Sequence, residues 1–423
     1  MIRYWPALLV GRIARVLIRL IRKGGGSALP GLILSKLAPG ILYRVLGSFP
    51  QGLVIVTGSA GKSTTTKMLV NIVREHGLAV FTNPSTANIL QGFYSTIIER
   101  ATWSGKVEGQ VAILEMDEAH AEELTREIAP LQVTILNVME DQLDRFVDPA
   151  LVRADLALVA RRATRSVLLN ADDQNTLLIA HEGLAVEPEF FGISSKVLKT
   201  QGRGLQNAPT YLPELPRPEV SSEVSRLDGI NAEISGTWGS AEFELPSRGV
   251  HFALDAVAAF ESAKSFLGGD FKLEVATKAL REVPPVFARG EMVQINGEDV
   301  EFILVQNPGS MQLNLDNLVG EPEQLLFAIG RDVHDPSWLW TVDYSNLKHV
   351  DVCTGFNAYE AALVLHYNDV PLGSVTDDLE HATKTFFDMP KPQLGHKTVV
   401  FSADAMRRMR RSLGFWSAEE VER

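Results

Sequence analysis

The residues with the clearest chemical potential form one run, Thr57-Gly58-Ser59-Ala60-Gly61-Lys62-Ser63-Thr64. Glycines at 58 and 61 let the backbone close tightly, so that successive N–H groups converge on an anion. A helix starting directly behind them adds the positive end of its dipole. In such a loop Lys62 reaches the outer phosphates of a nucleotide and Ser63 offers its hydroxyl to Mg²⁺. Gly58, Ser59, Ala60, Gly61, Lys62, Ser63 and Thr64 are therefore candidate nucleotide-binding residues, and Ser63 a candidate metal ligand. The spacing departs from the common nucleoside-triphosphatase pattern, which has a glycine six residues before the lysine; this chain has Val56 there. The simpler alternative is a glycine turn ahead of an ordinary helix. A second group, Glu115-Met116-Asp117-Glu118, follows the apolar run Val111-Ala112-Ile113-Leu114. Acids at the carboxyl end of a parallel strand face the ligand crevice of an open sheet, and a hard cation suits them. Solvated strand-end caps are the alternative. Cys353 has no Gly-x-Cys-x-Gly elbow around it and reads as a structural strand-end thiol, not a nucleophile.

The elements that must position these groups are legible as short β-branched runs. Leu53 to Thr57 reads as a buried strand, and Thr65 to His76 as a helix with Met68, Leu69, Ile72 and Val73 on its apolar face. Val133 to Asn137, Val167 to Asn170, Val300 to Val305 and Leu325 to Ile329 read as further strands, and strands alternating with helices predict parallel, helix-covered sheets. A length of 423 residues suggests two or three domains. Hydrophobic residues at 45% and charged residues at 22% exclude a disordered, collagenous or coiled-coil chain. A net charge of −12 argues against a general nucleic-acid coat. One cysteine excludes an internal disulfide or a four-cysteine zinc site and suggests the cytoplasm.

The charge is unevenly distributed. No Asp or Glu occurs from Met1 to Arg74, whereas Arg12, Arg15, Arg19 and Arg22 recur at helical spacing beside Ile13, Val16, Leu17, Leu20 and Ile21. Such a basic amphipathic arm can lie on an anionic membrane surface. Alternatively it packs its apolar side on the protein and leaves its arginines in water. The arginines interrupt any apolar core of a signal peptide. The helix is expected to stop at Gly24-Gly25-Gly26, and Val283-Pro284-Pro285 marks a domain edge. The expected domains are a basic arm over 1–48, a nucleotide-binding domain over 49–285 and a smaller α/β domain over 286–423.

The loop resembles the T-G-T-N-G-K-T-T loop of the Mur ligases, ATP-dependent enzymes that extend the peptidoglycan stem peptide; folylpolyglutamate synthases are relatives. Asp141-Gln142-Leu143-Asp144-Arg145 resembles the D-Q-L-D-R of the MurT-type ligase subunit of lipid II isoglutaminyl synthase, where Mur ligases have D-H-L-D. The resemblance covers nearly the whole chain. It implies a Mur-ligase-like ATP-binding domain with a parallel sheet, ATP and Mg²⁺ as ligands, and Glu115 as the metal-binding acid beside Ser63. It implies a nucleotide role for Asn170 and Asp172 within Asn170-Ala171-Asp172-Asp173, though an Asx-rich turn is equally open. It adds His251, which matches the family histidine; a cap or packing role is the alternative. Ala60, Phe252, Asp255 and Gln306 depart from the family pattern. The four-cysteine ribbon that such chains often carry is missing from 199–247, so no zinc is expected. Gly330-Arg331-Asp332-Val333-His334-Asp335-Pro336-Ser337-Trp338-Leu339-Trp340 resembles the family segment that lends an aspartate to a partner's active site, and by motif position Asp335 is chosen over Asp332. The implied partner is a GatD-like class I glutamine amidotransferase and the implied substrate lipid II. The fifty or so residues before the loop are too few for a nucleotide-sugar domain, which favours a membrane-held substrate and peripheral contact with the inner membrane face. The implied reaction is ATP-dependent amidation of the stem-peptide D-glutamate to D-isoglutamine, with Lys62, Glu115 and Asp335 as catalytic residues. The alternatives are an amino-acid ligase of the Mur or folylpolyglutamate synthase type and a nucleotide-binding scaffold.

Overall fold

A computed structural model describes residues 4–21, 28–84, 88–102, 105–140, 148–284, 288–318 and 322–414. The Asp141–Arg145 motif, the glycine stop at 24–26 and the side chains of Arg19 and Arg22 lie outside the described residues.

The first sheet contains β1 (Leu53–Thr57), β2 (Val80–Phe81), β3 (Val111–Glu115), β4 (Gln132–Ile135), β5 (Ser166–Asn170), β6 (Pro188–Ile193), β7 (Ser222–Asp228), β8 (Asn231–Gly236) and β9 (Gly239–Glu244). Their spatial order is β2-β3-β1-β4-β5-β6-β7-β8-β9. The pairs from β2 through β7 are parallel, and β7-β8-β9 form an antiparallel meander at the edge. Every residue of β1, β3, β4 and β5 is buried, as expected for strands covered by helices on both faces. The chain passes to one side of β1 for β2 and β3, then to the other for β4. That reversal opens a crevice at the carboxyl end of β1, where ligands bind in open α/β sheets.

The second sheet runs β10 (Arg289–Ile295), β11 (Glu298–Leu304), β15 (Lys397–Phe401), β12 (Gln324–Ala328), β13 (Val350–Thr354) and β14 (Leu372–Thr376). Only the β10–β11 hairpin in it is antiparallel. Cys353 is the penultimate residue of β13 in this core; its thiol donates to the Ala358 carbonyl at 3.4 Å, and burial pushes its pKa up to about 12. It is a structural thiol.

Six helices precede and flank the first crevice: α1 (Trp5–Ile21), α2 (Ala28–Leu37), α3 (Gly40–Leu46), α4 (Lys62–Glu75), α5 (Leu90–Arg100) and α6 (Glu118–Thr125). The arm packs the opposite way from the soluble-protein expectation. Its arginine face is turned inward: Arg12 Nε donates to the Ile98 carbonyl at 3.3 Å, its Nη2 donates to the Ala101 carbonyl, and Arg15 pairs with Glu99 at 2.7 Å. The physical reason lies at the end of α5, whose last carbonyls have no intrahelical donor and carry the negative end of the dipole. Arg12 satisfies both needs. Gly11 makes the approach feasible, because a Cβ there would stand 2.8 Å from Ile98 Cδ1. Trp5, Val10, Ile13, Val16 and Leu17 consequently face solvent.

Gly31 is the tightest point of the α2–α5 packing. A Cβ there would overlap the Gln91 carbonyl oxygen and come within 2.9 Å of the Ser95 nitrogen, both backbone atoms. Gly31→Ala should therefore destabilise the chain by about 1–3 kcal/mol, the range for overpacking. Leu29→Ala, at an exposed position of the same helix, should stay within about 0.5 kcal/mol of the parent. Thermal unfolding of the two variants side by side reads the difference.

Candidate active site

The loop after β1 is short. Gly58 (φ 127°) and Gly61 (φ 84°) adopt backbone angles that other residues rarely take. The first missing glycine of the common pattern is explained by this geometry: β1 continues through Val56 to Thr57, and the turn occupies only Gly58 to Gly61 before α4 begins at Lys62. Asn137, just beyond β4, clamps the turn. Its carbonyl accepts from Ser59 N at 3.0 Å, its Oδ1 accepts from Ala60 N at 2.8 Å, and its Nδ2 donates to the Ala60 carbonyl at 3.2 Å. Met139 N donates to Ser59 Oγ at 3.0 Å. A Cβ on Gly58 would lie 3.0 Å from Asn137 backbone atoms, so glycine is required for the close approach.

Ser63 and Glu115 meet beneath the loop: the Ser63 hydroxyl donates to Glu115 Oε1 at 2.8 Å, with both residues buried. Asn83 fixes the acid from behind, accepting from Glu115 N at 3.0 Å and donating to Glu115 O at 3.1 Å. Lys62 Nζ donates to the Gly58 and Ser59 carbonyls and pairs with Glu118 at 3.3 Å. Burial raises the pKa of Glu118 and Lys62 opposes that rise. Glu118 is thus not a solvated cap, the alternative reading for this group, but a buried partner of the site lysine.

These groups line a cavity of about 310 Å³ that both sheets share. The first domain contributes the loop, Asn88, Glu115, Asp117, Asn137, His251 and Asp255. The second contributes Arg289, Gln306, Asn307, Ser310 and Arg407. Asp255 stands against the loop; a Cβ on Gly61 would collide with its carboxylate. Burial pushes the Asp255 pKa up to about 8, with Arg289 opposing the rise. At neutral pH it is an uncharged acid, which keeps a hydrogen-bond donor at the loop. Burial, assisted by Arg289, pulls His251 down to about 4, so its ring is neutral. Among the described residues its Nδ1 has no hydrogen-bond partner. A polyanion entering this cavity meets Lys62, Arg289, Arg407 and the loop N–H groups beside the acids Glu115 and Asp117; Asp255 adds no further charge against it.

The residues fit a nucleotide with a hard divalent cation. The cradle is one a Cβ would fill, and a hydroxyl and a carboxylate of the right chemistry are already joined in it. Among the described residues, no group of three or more His, Cys, Asp or Glu is placed to hold a metal, in this cavity or elsewhere.

Of the other expected site residues, Asn170 and Asp172 do not enter this cavity. Asn170 is fully buried and braces β5 to β4 through a 2.9 Å bond from Nδ2 to the Leu136 carbonyl. Asp172 accepts from Ile193 N at 2.6 Å, pairs with Arg217 at 2.7 Å and lines a neighbouring cavity with Gln174, Arg203 and Gln312. Asp335 lies in the second domain, exposed, capping the short turn Pro336–Thr341 through Ser337 N at 2.9 Å. Asp332 is engaged differently. It accepts from Ser402 Oγ at 2.6 Å, Ala403 N at 2.8 Å and Asp404 N at 3.0 Å, closing the start of the helix Ala403–Ser412. The clamp residues Asn83 and Asn137 carry no motif. The one signal available for Asn137 was its position at the carboxyl end of a predicted strand.

Fold and site together define an ATP-dependent ligase of the Mur type, built from a phosphate-loop domain closed by a second α/β domain. Residues 56–263 match the Mur ligase middle domain, and the fold is Mur-ligase-like throughout. It is 27% identical to the lipid II isoglutaminyl synthase (glutamine-hydrolyzing) subunit MurT of Streptococcus pneumoniae, over 89% of this chain and 90% of that protein. It is 24% identical to the subunit of the same name from Staphylococcus aureus strain COL, over 91% and 93%. The MurF ligase of Thermotoga maritima, solved in complex with ADP, shares the fold with a TM-score of 0.63 at 18% identity, covering 93% of this chain and 84% of that one.

The uncharged state of Asp255 has a pH signature. Its folded pKa of about 8 lies above the unfolded value of 3.8. The folded chain therefore binds the proton more tightly, and this contribution to stability is complete below 3.8 and lost as pH rises through about 8. Asp255→Asn should flatten that decline. The variant's melting temperature, set against that of the parent across this range, should gain steadily as the pH rises; a constant difference would contradict a buried neutral acid.

Proposed function

We propose that the chain is the ligase half of a two-subunit amidotransferase that converts the D-glutamate α-carboxylate of lipid II to D-isoglutamine. The observation that carries this reading is the shared cavity, in which the Ser63–Glu115 pair and Lys62 face Arg289 and Arg407 of the second domain. Opposed cations suit two anions, a nucleotide and a carboxylate, brought into line. The likeness to MurT subunits at nearly full length supports the acceptor.

A carboxylate oxygen is a poor leaving group. In the proposed reaction it attacks the γ-phosphorus of ATP, the bond to the β-phosphate oxygen breaks, and ADP departs. Ammonia then attacks the acyl carbon, the bond to phosphate breaks, and the nitrogen loses a proton to give the amide. Lys62 and the loop N–H groups hold charge at the transferring phosphoryl. Ser63 and Glu115 would hold Mg²⁺, which would supply further charge neutralisation to the phosphates. Arg289 and Arg407 position the acceptor, and closure between the two domains keeps water from the acyl phosphate.

The second domain supports a glutaminase partner. Asp335 is exposed, and hydrogen bonds from Ser337 hold its pKa below the usual carboxylate value, so it is ionised. An anion of this kind can orient a histidine on another chain. Exposed aromatic residues flank it: Trp340 packs on Tyr367 with ring centroids 5.5 Å apart, and Arg331 lies over Phe356. Exposed Trp, Tyr and Arg are the residues enriched at protein interfaces.

Mass spectrometry of lipid II separates the two halves. Lys62→Ala should abolish ATP-dependent amidation from either ammonium or glutamine, a loss of at least about a hundredfold for a charge at the transferring phosphoryl. Asp335→Asn, assayed with a glutaminase partner, should lose glutamine-dependent amidation and keep the ammonium-dependent reaction. Amidation by Lys62→Ala at the parent rate would refute the phosphate-loop assignment. If the added nitrogen carries an amino acid, the chain is an amino-acid ligase instead.

A further inference from the structure

We propose that the outward face of α1 is a docking surface for an anionic lipid bilayer. The inference stands on the arm and does not rest on the amidation reading.

The outward residues form a continuous stripe. At 100° per residue, Trp5, Val10, Ile13, Val16 and Leu17 fall within a 140° arc of the helix. All five are exposed, Ile13 to 52% and Val16 to 59%. The basic side of the same helix is fastened to α5 through Arg12 and Arg15, so the apolar side cannot turn inward without breaking those bonds. The neighbouring α2 adds exposed Leu29, Leu32 and Leu37. A contiguous apolar surface of this kind marks an interaction site.

Charge selects the occupant. The chain carries a net charge of −12, yet residues 1–61 hold eight Lys and Arg and no acid. Lys36 and Arg44, both exposed, are described members of that set. Arg12 and Arg15 are engaged inward, which leaves Lys36 and Arg44 as the described solvent-facing cations of this acid-free segment; an aliphatic stripe ending in a tryptophan on such a segment matches the anionic headgroup region, where apolar side chains enter the acyl boundary and cations meet phosphates. The stripe offers no hydrogen-bonding group except the Trp5 ring N–H, whereas protein interfaces carry about one hydrogen bond per 100–200 Å². The mode is interfacial. Among the described residues no single helix is long and apolar enough to cross a membrane, and the bent pair α2–α3 inserts Leu34, Ile41, Leu42, Val45 and Leu46 into the protein core.

The placement has a geometric consequence. α5 carries the arm along its body and at its carboxyl end, and its amino end begins two residues after Asn88, which lines the cavity. Its 11 residues span about 16 Å. A chain docked through α1 would hold the cavity within reach of a headgroup-linked peptide.

Flotation of the full chain with phosphatidylglycerol–phosphatidylcholine vesicles, against phosphatidylcholine alone, tests the proposal. The parent should float with the anionic vesicles and bind at least about tenfold less to the neutral ones. Ile13→Glu/Val16→Glu should lower binding to the anionic vesicles by at least about tenfold, with an unchanged melting temperature. If that pair lowers the melting temperature, Ile13→Gln/Val16→Gln replaces it. A double variant that floats like the parent overturns the proposal, as does a parent that binds neither vesicle. A parent dimer that becomes monomeric in the variant overturns it too, because a second copy would then cover the face. Amidation of detergent-dispersed lipid II is read in parallel. Amidation failing in both proteins while flotation behaves as expected removes the ligase reading and leaves docking intact.

Discussion

Asn137 is the residue on which the geometry of the site depends. A turn of four residues between a buried strand and a helix leaves backbone donors and acceptors that cannot pair within it, and a buried unpaired amide is costly. One side chain and one carbonyl resolve three of these groups at once. Delivering Asn137 there requires β4 beside β1 in parallel register, with Thr57 opposite Ile135. The other neighbour, β3, brings Glu115 to the same level through the pairing of Val56 with Glu115. The loop, the Ser63–Glu115 pair and the strand order are therefore one arrangement.

The cavity is also notable for its management of charge. Asp255 and His251 are both ionisable and both held neutral, each chiefly by burial. Around them stand Lys62, Arg289 and Arg407. A cavity intended for phosphates gains from neutral polar walls, since a fixed carboxylate against the loop would oppose the anion it receives.

Much of this was legible in the sequence because it is local. Buried strands announce themselves as β-branched runs, and the loop is a contiguous string whose chemistry is independent of the rest of the chain. The arm shows the limit. Helical spacing separates Arg12 and Arg15 from Val10, Ile13 and Leu17, but does not say which face turns inward. That is decided by carbonyls at the end of a helix more than eighty positions away. Asp332 and Asp335 stand three residues apart, and motif position alone favours Asp335; that Asp332 is engaged by Ser402 and the backbone after it could not be read from the sequence. Asn170 and Asp172 belong to a recognisable string, but its buried member holds strands together and its other member faces a different cavity.

Cys353 has a practical corollary. It is the chain's single thiol, fully buried and, with a pKa near 12, almost wholly protonated at working pH. Maleimides and nitroxide reagents require a thiolate they can reach. The native chain is thus nearly silent to thiol chemistry, and a cysteine installed on the surface would carry a probe at one known position without removal of the natural residue. Distances between the two domains, or from the arm to either of them, become measurable on an otherwise unaltered protein.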